Sequence, residues 1–191
     1  MSTVQAQPWL AQYPHGTPAT IDTDEFRSVA DVMKLAFERY RHRPAFVNMD
    51  KVLSYGELDR LSLQFGCCLR NQLGLKKGDR VAIMLPNVLQ YPVALLGILR
   101  AGLTVVNTNP LYTARELKHQ LCDSGAAAIV VLENFATTLE EVIKDTPVKH
   151  IITSQVGDLL GFPKALIVNF VVKYRKKAVP AFNLPNVIKF N

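Results

Sequence analysis

The run Val81-Ala82-Ile83-Met84-Leu85, followed by Pro86-Asn87, by Val88 to Arg100, by Ala101-Gly102 and by Leu103-Thr104-Val105-Val106, decides the fold. Five apolar residues in a row suit a strand buried on both faces. Asn87 is placed to cap a helix from Val88 to Arg100, and that helix is apolar nearly all round, as a buried helix is. Pro92 removes a backbone donor in its early part, which predicts a kink. Gly102 predicts a left-handed stop, and Leu103 to Val106 a second strand.

Working outward towards the C-terminus, the alternation continues. Thr113-Ala114-Arg115-Glu116 has the form of a capping box and opens a helix to Cys122 that Gly125 ends. Ala127 to Leu132 predicts a third strand, Thr137-Thr138-Leu139-Glu140 the cap of a third helix, and Val148 to Thr153 a fourth strand. Strands alternating with helices at this spacing mean parallel pairing with helical crossovers. The fold class is α/β, a layered domain with a mainly parallel sheet.

Towards the N-terminus the pattern changes. Ser54-Tyr55-Gly56-Glu57 is another capping box, and its helix runs through Leu58, Leu61, Phe65, Cys68, Leu69 and Leu73 to Gly74. Short strands at Ala45 to Asn48 and Val52 to Leu53 flank an Asp50-Lys51 turn. Ser28 to Tyr40 places Val29, Val32, Met33, Ala36, Phe37 and Tyr40 on one helix face, and Pro44 stops that helix. Three segments result: an extended arm over 1–25, an α/β subdomain over 26–158, and a basic helix with connector over 159–191.

The chain has 191 residues, 49% apolar and 20% charged, which excludes disorder for most of its length. Of 22 bases, six fall in 159–191, where no acid does; the other 16 balance the 16 acids. A uniformly basic nucleic-acid binder is therefore excluded as a partner class, and a local basic segment needs explaining. Cys67, Cys68 and Cys122 have neither disulfide-framework nor metal-ligand spacing, which fits a reducing compartment. The start, Met1 to Pro8, lacks the basic and apolar runs of a signal peptide. Val88 to Val106 contains Gln90, Pro92, Arg100 and Thr104, so a helix then a strand explains it better than a bilayer crossing.

Familiar chemistry is missing. No Gly-x-Gly pair marks a dinucleotide site, no phosphate-wrapping Gly-x-x-x-x-Gly-Lys stretch occurs, and no Gly-x-Ser-x-Gly elbow presents a nucleophile. His15, His42, His119 and His150 are scattered. His119, near Arg115 and Lys118, reads as a solvated helical histidine rather than a general base. Cys67 and Cys68 read as buried small hydrophobes. No catalytic residue and no metal ligand is assigned.

Two stretches carry a family resemblance. Leu53-Ser54-Tyr55-Gly56-Glu57-Leu58 resembles the first core motif of the adenylate-forming enzymes, and Ile98 to Pro110 resembles their second. Leu75 to Asn87, Gln90 to Leu95, Asn109 to Thr113 and Val168 to Tyr174 are similar to the bacterial long-chain fatty-acid–CoA ligases within that superfamily. The likeness runs from about Trp9 to the last residue. It implies a parent enzyme that uses ATP, Mg2+ and coenzyme A. There, a fatty acid and ATP give an acyl-adenylate and pyrophosphate, and the coenzyme A thiol then displaces AMP. The family's phosphate loop, ribose-binding acid, hinge and late lysine have no counterpart in these residues. The resemblance thus implies an N-terminal part that is inactive alone and binds none of these groups tightly, with the remainder of the ligase chain as its partner.

Two regions are left as candidate sites. Ligands of such sheets gather at the carboxyl ends of the strands. The polar loop Asn107 to Tyr112 leaves one such end, and the resemblance places it near the coenzyme A route, with Asn107, Asn109 and Tyr112 as the contacts. Residues 162–178 can be drawn as one helix with Asn169, Lys173, Lys176 and Lys177 on a polar face and Ile167, Phe170, Val171 and Tyr174 on an apolar one. Lys173, Lys176, Lys177, Phe170 and Tyr174 would meet an anionic membrane surface, or the apolar face would pack on the remainder of the enzyme. A cytoplasmic protein, peripheral on the inner membrane, is the implied location. The rival readings are a free-standing α/β binding module at the membrane surface, a part of another adenylate-forming enzyme, and a dehydrogenase fragment that the missing Gly-x-Gly disfavours.

Overall fold

The computed structural model describes residues 7–191; the first six residues of the expected arm lie outside them. Residues 7–25 are exposed save Leu10, with a single 3-10 turn at Pro8–Gln12. Helix α1 spans Val29–Arg39, and the Ser28 hydroxyl accepts from the Asp31 amide at 3.1 Å. Strands β1 (Pro44–Asn48) and β2 (Lys51–Ser54) form an antiparallel hairpin. Helix α2 (Tyr55–Cys67) opens on the expected capping box. The Glu57 amide donates to Ser54 Oγ at 3.2 Å, and the Ser54 amide donates to Glu57 Oε2 at 2.9 Å. That second bond is the main reason the Glu57 carboxyl is held below its ordinary range.

A five-stranded sheet forms the centre. Its strands are β3 (Arg80–Met84), β4 (Thr104–Asn107), β5 (Ala128–Leu132), β6 (His150–Ser154) and β7 (Val187–Lys189). The order is β4-β3-β5-β6-β7, and every pairing is parallel. Side chains alternate across the sheet. Val81, Ile83, Val130 and Ile152 face a core shared with α2 and with α3 (Gln90–Arg100). Ala82, Met84, Ile129, Val131 and Ile151 face a second core with α4 (Ala114–Ser124) and α5 (Ala136–Glu140). Both faces are therefore covered, as the apolar strand composition requires.

Helices α2 and α3 touch backbone to backbone. A Cβ on Gly97 would lie 2.8 Å from Phe65 Cδ1 and 2.9 Å from the Ser62 carbonyl oxygen. Only glycine allows that approach. Arg100 pins the same pair, donating to Asp59 Oδ1 at 2.7 Å and to Ser62 Oγ at 3.0 Å. The stops at Gly102 (φ +72°) and Gly125 (φ +60°) are left-handed as expected. Arg80 adds a contact across the fold, its guanidinium donating to the Ser124 and Gly125 carbonyls, both at 2.9 Å.

Three local expectations are corrected. Asn87 does not cap α3: the helix begins at Gln90, Leu89 is its N-cap, and no side chain closes it. Pro92 is therefore the third helical residue, where an amide has no intrahelical acceptor to lose, so the expected cost and kink have no cause. Thr137 lies inside α5 and caps nothing, because a 3-10 turn at Glu133–Phe135 leads straight into that short helix. Strand β7 was not foreseen: the segment read as helix and connector also supplies a three-residue sheet edge.

Candidate functional site

The crossovers set where a ligand would sit. The chain passes from β3 to β4 on one side, then returns across β3 to β5, so the direction changes between β3 and β5. In open α/β sheets the crevice outside the strand ends at such a point is the favoured binding place. Two groups of residues stand at this end of the sheet, and they differ in openness.

Beyond β5, β6 and β7 the end is filled by protein. Glu133 is 3% exposed, and both carboxylate oxygens are engaged: Lys189 Nζ donates to Oε1 at 2.5 Å and Gln155 Nε2 to Oε2 at 2.8 Å. The Gln155 carbonyl accepts from Gln90 Nε2 at 2.7 Å, which ties in the first residue of α3. Helix α6 (Lys164–Phe170) and the turn that extends it to Arg175 lie over this network. Between Glu133, Gln155, Asn169 and Val172 only about 10 Å³ remains, room for about one water and nothing larger. None of these partners was foreseen as a site, since Gln90, Glu133, Gln155 and Lys189 are far apart in sequence and form no motif.

Beyond β4 the end is open. Asn107 accepts from the Tyr91 hydroxyl at 3.0 Å through Oδ1, and its carbonyl accepts from Gln120 Nε2 at 2.9 Å. Asn109 Oδ1 accepts from the Leu111 amide at 3.0 Å, and its carbonyl from the Tyr112 amide at 3.1 Å. These two asparagines therefore shape the loop. Tyr112 lines a surface groove of about 830 Å³ with Arg115, Glu116, His119, Gln120 and Asp123. Sequence reasoning named Tyr112 but not this α4 face. Its signal is the helical spacing of Arg115, His119 and Asp123. His119 is exposed there and makes no hydrogen bond to Asp123 among the described residues. Glu116 closes the second capping box, and the Thr113 amide on its carboxylate holds that group below its ordinary range.

The basic tail departs from its expected wheel. Ile167, Phe170 and Tyr174 are exposed, 57 to 61% each, while Val171 is half-buried. Asn169 is not on the outer polar face: its Oδ1 accepts from the Gly157 amide at 2.7 Å, beneath the helix. Val168 packs on the core beside it. Lys173, Lys176 and Lys177 are exposed.

Cys67 is exposed rather than buried, and Cys68 is half-buried, its thiol pushed up by burial. Among the described residues no three His, Cys, Asp or Glu converge as metal ligands. No helix among them is long and apolar enough to cross a membrane.

The sequence matches the AMP-binding enzyme family over residues 33–186. It is 54% identical over 182 residues to the long-chain-fatty-acid–CoA ligase of Salmonella typhimurium, and 52% identical over 182 residues to that of Haemophilus influenzae. Each alignment covers 95% of this chain and 32% of the relative. The chain thus spans about a third of the length of the relatives it matches. A crystallised benzoate CoA ligase from Burkholderia xenovorans superposes with a TM-score of 0.62 at 25% identity, over 66% of this chain and 25% of that one. The match over residues 33–186 takes in the whole five-stranded sheet up to its last strand, and the chain belongs to the AMP-binding enzymes.

Proposed function

We propose that these residues are the N-terminal part of a long-chain-fatty-acid–CoA ligase. The observation that carries this is identity above half with ligases of that name along nearly the whole chain. The full enzyme would join a fatty acid to ATP as an acyl-adenylate, with Mg2+ bound by residues outside this chain, and then pass the acyl group to the thiol of coenzyme A. The part described here holds the scaffold and one wall. The donors that would stabilise the transferring phosphoryl charge, which such chemistry needs most, belong in this reading to the rest of the enzyme. The chain alone is therefore inactive. A pyrophosphate-release assay with ATP and palmitate tests this: the full-length enzyme turns over and the 191 residues alone do not. Substantial turnover by the short chain, or preference of the full enzyme for an amino acid, overturns the reading.

The open end of β4 is the coenzyme A side in this reading. Tyr112 and Arg115 both line the groove, an aromatic ring for the coenzyme's base and a cation for a phosphate, and Asn107 with Asn109 hold the loop that carries Tyr112. In the full-length enzyme, Tyr112→Ala should raise the KM for coenzyme A about tenfold, the size of one lost stacking contact, and leave the KM for ATP unchanged. A reading of cytoplasmic location with a peripheral place on the inner membrane goes with a substrate that dissolves in bilayers.

A further inference from the structure

Asn107 ends β4, and two helices hold it from opposite faces of the sheet. Strand β4 lies at the edge, with β3 as its neighbour, and Asn107 pairs with Ile83 in the last register position. One further backbone bond, from the Thr108 amide to the Ile83 carbonyl at 3.0 Å, continues the pairing. An edge strand has no second ladder to fix its end, so side chains do it. The Tyr91 hydroxyl reaches from α3 and donates to Asn107 Oδ1 at 3.0 Å, and Gln120 Nε2 reaches from α4 and donates to the Asn107 carbonyl at 2.9 Å. Helix α3 packs in one core and α4 in the other.

Both donors are anchored. Tyr91 packs its ring on the core, and the turn that carries it is tied down twice. Gln90 Nε2 donates to the Gln155 carbonyl at 2.7 Å, and Asn48 Nδ2 donates to the Asn87 carbonyl at 3.2 Å. No side chain caps α3, so these long-range bonds fix where its first turn, and with it the Tyr91 hydroxyl, stands. Gln120 is fixed by α4, whose capping box and left-handed stop at Gly125 set its two ends. Gln120 Oε1 is buried with no hydrogen-bond partner among the described residues. An unpaired buried carbonyl costs stability. Among the described residues, the bond to Asn107 is the one its side chain makes to offset that cost.

Gln120 also lines the groove that Tyr112 lines. One side chain thus belongs to the helical wall and fastens the loop that forms the other. Beyond Thr108 the loop's own bonds are those of Asn109 to the Leu111 and Tyr112 amides. Slack at Asn107 therefore passes on to Tyr112. On the reading of this end as the coenzyme A side, we infer that Tyr91 and Gln120 are positioning residues for thioester formation. They act through Asn107 to set where Tyr112 stands.

The full-length enzyme carrying Tyr91→Phe or Gln120→Leu tests this. Tyr91→Phe keeps the packed ring and loses only the hydroxyl, and Gln120→Leu removes the donor at similar size; thermal melts verify that each variant is folded. Each should raise the KM for coenzyme A about fivefold, the worth of one hydrogen bond. ATP–pyrophosphate exchange with palmitate, run without coenzyme A, should stay as in the parent, whereas a general loosening of the domain would slow both half-reactions. Tyr91→Phe combined with Tyr112→Ala should be no worse than Tyr112→Ala alone, since a loop without its ring has nothing left to place. Hydrogen exchange at the Leu111 and Tyr112 amides should quicken in both single variants. Four results overturn the inference and leave the ligase reading standing: an unchanged KM for coenzyme A where Tyr112→Ala raises it, equal losses in both half-reactions, additive effects in the double variant, or unaltered exchange. No effect of Tyr112→Ala itself removes the coenzyme A side, and the positioning role with it.

Discussion

Helices α3 and α6 have similar raw material and opposite fates. Both are rich in Leu, Ile and Val. In α3, Val93, Leu96 and Ile98 are at most 5% exposed, closed in by α2 and the sheet. In α6, Leu166, Ile167 and Phe170 are in water. Composition alone does not decide burial; the surroundings do. Helix α3 has a glycine where α2 must approach and an arginine to hold it there. Helix α6 sits on a network of polar groups at the strand ends and turns its greasy side out.

The contrast can be attacked at its strongest point first. Ile98→Ala should lower stability by about 3 kcal/mol, the cost of lost burial and a cavity, read as a shift in urea midpoint. Gly97→Ala should cost about 2 kcal/mol, since the new methyl meets Phe65 and a carbonyl that cannot both move away. Ser54→Ala should cost about 1 kcal/mol through the lost α2 cap. Its effect should shrink in acid. Glu57 has a lowered folded pKa, so its part of the cap is complete above the unfolded value, about 4.3, and is lost as pH falls through the lower folded one. Ile167→Ala should stay within about 0.5 kcal/mol of the parent. A loss there approaching that of Ile98→Ala would mean that the two helices are alike after all.

The parts of the fold legible in the sequence were those set by near neighbours. Ser54 and Glu57, or Thr113 and Glu116, meet across three residues, and their capping boxes form as read. The apolar runs that became β3, β5 and β6 and the stop at Gly125 are equally local. Pro92 misled because its consequence depends on where α3 starts, and two residues of offset turn a defect into a harmless placement. Strand β7 is three residues long and is specified by β6, not by its own composition. The loop after β4 could be proposed from its position, but the groove could not, because Tyr112 comes from a loop and His119 from the face of α4. Asn169 was put on the wrong side of α6 because a wheel cannot see the Gly157 amide that claims it.

The pair Glu133–Lys189 has a practical corollary for anyone trimming this polypeptide. Lys189 reaches from the surface to the buried Glu133 carboxylate at the sheet end, and it stands two positions before the last residue. Shortening the gene to finish at the close of α6 would strand a carboxylate in the interior. Expression boundaries drawn by family alignment, which stops at 186, would therefore yield a product poorer in solubility and more easily cut by proteases than one that retains Val187 to Phe190.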